Sequence, residues 1–123
     1  MTYLPRILLV DDEKDFLYLT CAALKKNGFD VLYLSDGFDL ISKVKSYKPH
    51  IIVLDVRLGK HDGMVLCRQL KDDPDMQSIK IILHSAFSDV EKQYHECGAD
   101  EFILKPYTFD HLMARLKHNL ALS

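Results

Sequence analysis

Five side chains capable of joint chemistry stand at equivalent points along the chain. Asp11 and Asp12 follow the apolar run Ile7 to Val10, Asp55 follows Ile51 to Leu54, Ser85 comes just after Ile79 to Leu83, and Lys105 follows Phe102 to Leu104. Three carboxylates brought together repel one another, so either their pKa values rise or a cation neutralises them. A hard divalent ion is the natural solution, and Mg²⁺ is commonly held by one or two carboxylates, several waters and a phosphate oxygen. Such an ion facing the Lys105 ammonium and the Ser85 hydroxyl makes a site for a phosphoryl group. Gly28, Gly37, Gly59, Gly63 and Gly98 form neither G-x-G-x-x-G nor a P-loop, so nothing here cradles a triphosphate. The phosphoryl group must come from another molecule.

Taken singly, each residue has an ordinary reading, because acids begin turns, Ser follows strands and Lys is usually a solvated charge. Their shared position is what matters. The runs that precede them, together with Val31 to Leu34, are nearly continuous aliphatic stretches, as a strand covered on both faces requires. Between the runs, apolar residues recur at helical spacing. Leu17, Thr20, Cys21 and Leu24 precede Gly28; Leu40, Val44 and Tyr47 precede Pro49; Leu66, Cys67 and Leu70 precede Pro74. Val90, Tyr94 and Cys97 precede Gly98 in a fourth expected helix, and Phe109, Leu112, Met113, Leu116 and Leu120 make a fifth. Strict alternation implies a doubly wound α/β domain with a five-stranded parallel sheet and five helices. In such sheets ligands bind beyond the carboxyl ends of the strands, where four of the five runs end in Asp, Ser or Lys.

Composition narrows the function classes. The 123 residues are 48% hydrophobic and 28% charged, enough for one core and too apolar for disorder, so a single domain over 1–123 is expected. Sixteen Lys and Arg against eighteen Asp and Glu give a net charge of −2, which disfavours direct nucleic-acid binding. Cys21, Cys67 and Cys97 lack zinc-site spacing and read as reduced core thiols. Met1 to Arg6 lacks the regions of a signal peptide and no apolar run approaches a membrane span, so a cytoplasmic location without membrane contact is expected.

The segments ILLVDDE at 7–13, IIVLDVRLGKHDG at 51–63, IILHSA at 81–86 and GADEFILKP at 98–106 resemble the receiver domains of two-component response regulators, of the chemotaxis-regulator type. The resemblance covers essentially the entire chain and implies the flavodoxin-like receiver fold, with strand order 2-1-3-4-5. It makes Asp55 the phosphoacceptor, served by a sensor histidine kinase or a phosphotransfer protein. Mg²⁺ would be held by Asp12, Asp55 and the backbone carbonyl of Arg57, with Asp11 acting mainly through water. Lys105 would contact the phosphoryl oxygens, Ser85 would be the switch hydroxyl and Phe102 the switch aromatic. The Lys105-Pro106 peptide is expected to be cis. The face formed by the fourth helix, fifth strand and fifth helix would be the readout, toward a second copy of the chain or a downstream protein. Arg57 and Phe87 stand where receiver domains set the lifetime of the phosphoryl group.

Three positions depart from the family pattern. Gly59 replaces a common Pro and is expected to loosen the loop after Asp55. His84 occupies a usually aliphatic strand position; with no partner expected nearby, it reads as a structural histidine, as do the other five. Phe102 carries no hydroxyl, so the switch relies on packing. A pseudo-receiver, binding partners without phosphate, is the alternative function, but such modules usually lose an acid or the Lys. An aspartyl-nucleophile phosphatase would want an acid two residues after Asp55, where Arg57 stands.

Overall fold

The computed structural model describes residues 3–121. Strands β1 (Arg6–Val10), β2 (Asp30–Leu34), β3 (Ile51–Asp55), β6 (Lys80–Ser85) and β7 (Glu101–Leu104) form one parallel sheet in the order β2-β1-β3-β6-β7. Counting only these five, the order is the expected 2-1-3-4-5. Among the described residues, four α-helices cover it: α1 (Lys14–Lys26), α2 (Leu40–Tyr47), α3 (Gly63–Asp72) and α4 (Phe109–Ala121).

Period-two alternation along each strand divides the core into two layers. Leu8, Val10, Ile52, Leu54, Ile81 and Leu83 face α2 and α3. Ile7, Leu9, Ile51, Val53 and Ile82 face α1 and α4. The apolar stripe read for the first helix, Leu17, Thr20, Cys21 and Leu24, is the set that α1 buries. Leu66, Cys67 and Leu70 are likewise buried on α3, whose first turn is capped by Asp62, the carboxylate accepting from Met64 N–H at 2.8 Å. All three cysteines are buried free thiols.

One local feature differs from expectation. The fourth expected helix is a pair of 3₁₀ turns, Ser88–Lys92 and Tyr94–Cys97, running on i to i+3 bonds from Val90 N–H to Phe87 and from Gln93 N–H to Val90. The stretch has no side-chain cap at its start and buries only Val90 and Cys97, too little apolar contact to sustain a continuous α-helix. The loop after Asp55 forms a small antiparallel hairpin of β4 (Arg57–Leu58) and β5 (His61–Asp62). Gly59 turns it with φ +60°, the positive value that the first central residue of a type II′ turn needs.

Candidate functional site

Sheet register places the site. Leu9 pairs with Val53 and Val53 with Ile82, so one step of two residues onward puts Asp11, Asp55 and His84 side by side on the α1/α4 face. Asp55 and His84 are direct register partners. Lys105 leaves the end of β7 with its backbone N–H donating to the Ser85 carbonyl at 2.8 Å, and its side chain returns to the same face. The Lys105-Pro106 peptide is cis, as the resemblance implied.

The Lys105 ammonium bridges the two buried carboxylates, 2.6 Å from Asp11 Oδ2 and 3.3 Å from Asp55 Oδ2. Asp11 is fully buried, and its Oδ1 accepts from Glu13 N–H at 2.8 Å. Burial alone would raise its pKa, but His84, Lys105 and the Glu13 amide together hold it at about 2. Asp55 has fewer donors: Arg57 N–H reaches Oδ1 at 3.3 Å. Burial therefore dominates there and, with the neighbouring Asp11 charge, keeps its pKa above the ordinary value although Lys105 opposes the rise. For Lys105, desolvation is outweighed by the two carboxylates and the pKa goes up. Two adjacent carboxylates thus have different proton affinities, and Asp55 is the less committed one.

The other expected site residues surround this pair. Asp12 is exposed at the start of the loop into α1. Ser85 is buried, its Oγ accepting from Phe87 N–H at 3.1 Å. Phe102 is half-buried, stacked on Tyr94 at 6.1 Å between ring centroids. The Arg57 guanidinium lies 3.6 Å from the centroid of the exposed Phe87 ring, a cation–π stack beside the Asp55 loop. All the expected residues therefore lie at the carboxyl edge of the sheet, although Phe102 points to the α2/α3 layer rather than into the acid pocket. A cavity of about 690 Å³, lined by Arg6, Lys48, His50 and Met76 among others, lies at the opposite edge of the sheet.

One expectation fails: His84 has partners. Its Nδ1 is 2.7 Å from the Tyr107 hydroxyl and its Nε2 is 3.0 Å from Asp11 Oδ2, the latter without the alignment of a full hydrogen bond. Phe16 of α1 packs on the ring at 5.3 Å. Tyr107, Phe16 and Gly63 were not singled out for the site by sequence reasoning. Gly63 matters because the α3 start lies against the Asp55 and Val56 backbone, its N–H donating to the Val56 carbonyl at 2.7 Å.

A family model described as the response regulator receiver domain matches residues 7–117. The chain belongs to that family. Solved receiver structures agree with the assignment. A BeF3-activated DrrB receiver domain is 28% identical, aligned over 97% of this chain and 99% of that chain, with a TM-score of 0.85. The signal receiver domain of a signal transduction histidine kinase from Syntrophus aciditrophicus is 31% identical over 95% of this chain and 90% of its own, with a TM-score of 0.87. A CheY-like receiver domain protein from Methanospirillum hungatei JF-1, at 24% identity, TM-score 0.89 and coverage of 97% and 95%, shares the fold. This receiver domain is therefore a two-component signalling domain, and among its described residues no helix is long and apolar enough to cross a membrane.

Proposed function

We propose that this single receiver unit accepts a phosphoryl group on Asp55 from a phosphohistidine of a sensor kinase or phosphotransfer protein. The observation that carries the reading is the Lys105 ammonium held between Asp11 and Asp55 at the end of the central strand. Asp55 is the carboxylate whose pKa is raised and whose second oxygen has only a long amide contact, so it is the better nucleophile of the pair. An Asp55 oxygen attacks phosphorus, the P–N bond to the donor imidazole breaks, and an acyl phosphate remains on Asp55. Lys105, already within reach, meets the charge on the phosphoryl oxygens.

The donor set fits a divalent cation. Asp11, Asp55 and the exposed Asp12 oppose a single ammonium, and burial keeps His84 from adding a second positive charge, so negative charge is in excess. Asp12, Asp55 and the Arg57 carbonyl would hold Mg²⁺, with Asp11 acting mainly through water. When bound, the ion supplies charge neutralisation at the reacting oxygens.

Ser85 then turns its hydroxyl to the new phosphoryl group, and Phe102 leaves its stack on Tyr94 to fill the space vacated. The surface of the 3₁₀ segment, β7 and α4 changes accordingly, for a second copy of the chain or a downstream protein. Arg57 stacked on Phe87 shields the acyl phosphate from water, since neither side chain is a base.

The test is incubation with acetyl phosphate and Mg²⁺ followed by intact mass. Wild type gains one phosphate and Asp55→Asn gains none. Undiminished modification of Asp55→Asn refutes the acceptor assignment. Absence of any adduct on wild type favours a phosphate-independent binding module, and sustained turnover favours a phosphatase.

A further inference from the structure

A buried imidazole is unfavourable unless its nitrogens are used, and those of His84 are directed at functional groups rather than at the core. The Tyr107 hydroxyl, 2.7 Å from Nδ1, keeps its proton because burial, reinforced by Asp11 and Asp55, pushes its pKa up. Asp11 Oδ2, a carboxylate oxygen that can only accept, faces Nε2 at 3.0 Å, which puts the ring proton on Nε2 and leaves Nδ1 to accept from the Tyr107 hydroxyl. Asp11 thus has Oδ1 fixed by Glu13 and Oδ2 placed between two donors, Lys105 and His84. Lys105 is the closer and takes the aligned bond, so His84 stands second in line.

That order changes when Asp55 is phosphorylated. Lys105 must turn toward the phosphoryl oxygens, and Asp11 then loses its nearest donor. We propose that His84, oriented by Tyr107, is the positioning residue that takes over Asp11 Oδ2 and keeps this carboxylate aimed at the ion pocket once Lys105 is engaged. The inference rests on the phosphoacceptor reading above. Phe16 supports it sterically, packing on the His84 ring and approaching Lys105 Nζ at 5.5 Å, so the ring can rotate only slightly while the ammonium moves. Lys105 has room to move, since its side chain is partly solvent-exposed whereas His84 and Asp11 are fully enclosed.

The experiment is calorimetric titration of the full chain with Mg²⁺ alone and with Mg²⁺ plus beryllofluoride, which mimics the aspartyl phosphate. The variants are His84→Leu, His84→Gln, which keeps a donor near the Nε2 position, and Tyr107→Phe. Groups that orient a metal-binding carboxylate typically contribute about 10- to 100-fold in affinity. His84→Leu is expected to weaken beryllofluoride binding about tenfold, and to weaken Mg²⁺ binding alone by less, because Lys105 still serves Asp11 there. His84→Gln restores most of the loss, and Tyr107→Phe shows an intermediate one. A purely structural histidine would change the melting temperature while leaving both affinities alone.

A folded His84→Leu protein with wild-type beryllofluoride affinity overturns the proposal. If His84→Leu does not fold, Tyr107→Phe decides it, and unchanged affinity there overturns it equally. Equal losses for Mg²⁺ alone and Mg²⁺ plus beryllofluoride also count against it, because takeover from Lys105 would then be unnecessary. Nitrogen ligation in the visible spectrum of the Co²⁺-loaded wild type, absent from His84→Leu, would make His84 a ligand and replace the positioning role. Wild type that binds neither Mg²⁺ nor beryllofluoride would instead refute the phosphoacceptor reading itself.

Discussion

Replacing Gly63 by Ala tests whether the α3 start is what fixes the Asp55 backbone. A Cβ there would lie 2.2 Å from the Asp55 carbonyl oxygen, 2.8 Å from Val56 Cα and 3.0 Å from the Asp55 carbonyl carbon. None of these is the end of a flexible side chain, so relief requires α3 and the β3 end to separate by about 1 Å, given ordinary carbon–oxygen contact near van der Waals distance. The bond from Gly63 N–H to the Val56 carbonyl, now 2.7 Å, lengthens with it. Overpacking of this kind costs about 1–3 kcal/mol, offset by at most about 1 kcal/mol from the better helix propensity of Ala. A net loss of about 2 kcal/mol corresponds to about 8 °C in melting temperature for a domain this size. Gly28→Ala is the control: its φ of +91° is unfavourable for Ala, but no atom lies within 4 Å, so only backbone strain of about 1 kcal/mol is expected. Thermal unfolding followed by circular dichroism compares the two. Because the atom displaced is the acceptor's own carbonyl, phosphorylation of Gly63→Ala should also slow tenfold or more at a temperature where it is fully folded, about 1 Å of misplacement being enough. A melting temperature within about 2 °C of wild type, or a loss no greater than that of Gly28→Ala, would refute the packing argument.

Further expectations can be checked on the same protein. Asp55→Asn should melt above wild type at neutral pH: the raised Asp55 pKa means its charge destabilises the fold as pH rises through that value, so the gap between the two should close on acidification. Glu101→Gln should cost about 1 kcal/mol, allowing for partial exposure, by breaking the paired bonds from Arg115 at 2.6 and 2.7 Å that tie α4 to β7. Burial raises the Glu101 pKa but Arg115 and Asn119 lower it by more, so this stabilisation is present above the unfolded-state pKa and fades as pH falls below it. Decay of the phosphorylated form in Mg²⁺ should accelerate in Phe87→Glu and Arg57→Asn; if neither decays faster, the stacked pair is not the shield. Beryllofluoride with Mg²⁺ should alter amide hydrogen exchange across residues 85–115, and unchanged exchange with the mimic bound would exclude that readout face.

Much of this was legible in residue order. Aliphatic runs alternating with helical stripes are decided by local periodicity, and the parallel crossovers they imply bring the run ends Asp11, Asp55, Ser85 and Lys105 to one edge whatever the details of packing. The buried stripe of α1 could be read residue by residue because burial on a helix follows spacing. The 3₁₀ turns could not, since Val90, Tyr94 and Cys97 have helical spacing while helix length depends on how much apolar contact the neighbouring elements return. Proton affinity was likewise undecided: Asp11 and Asp55 are chemically identical, and only their different donors make one strongly acidic and the other not. His84 marks the boundary most clearly. Its step of two from Ile82 was in the sequence, but strand register placed it beside Asp55, and the Tyr107 hydroxyl reached it only through the chain turn after β7. Sequence fixes which side chains share a strand face, whereas contact across strands and loops depends on register and turn geometry, which arise only when the sheet is assembled.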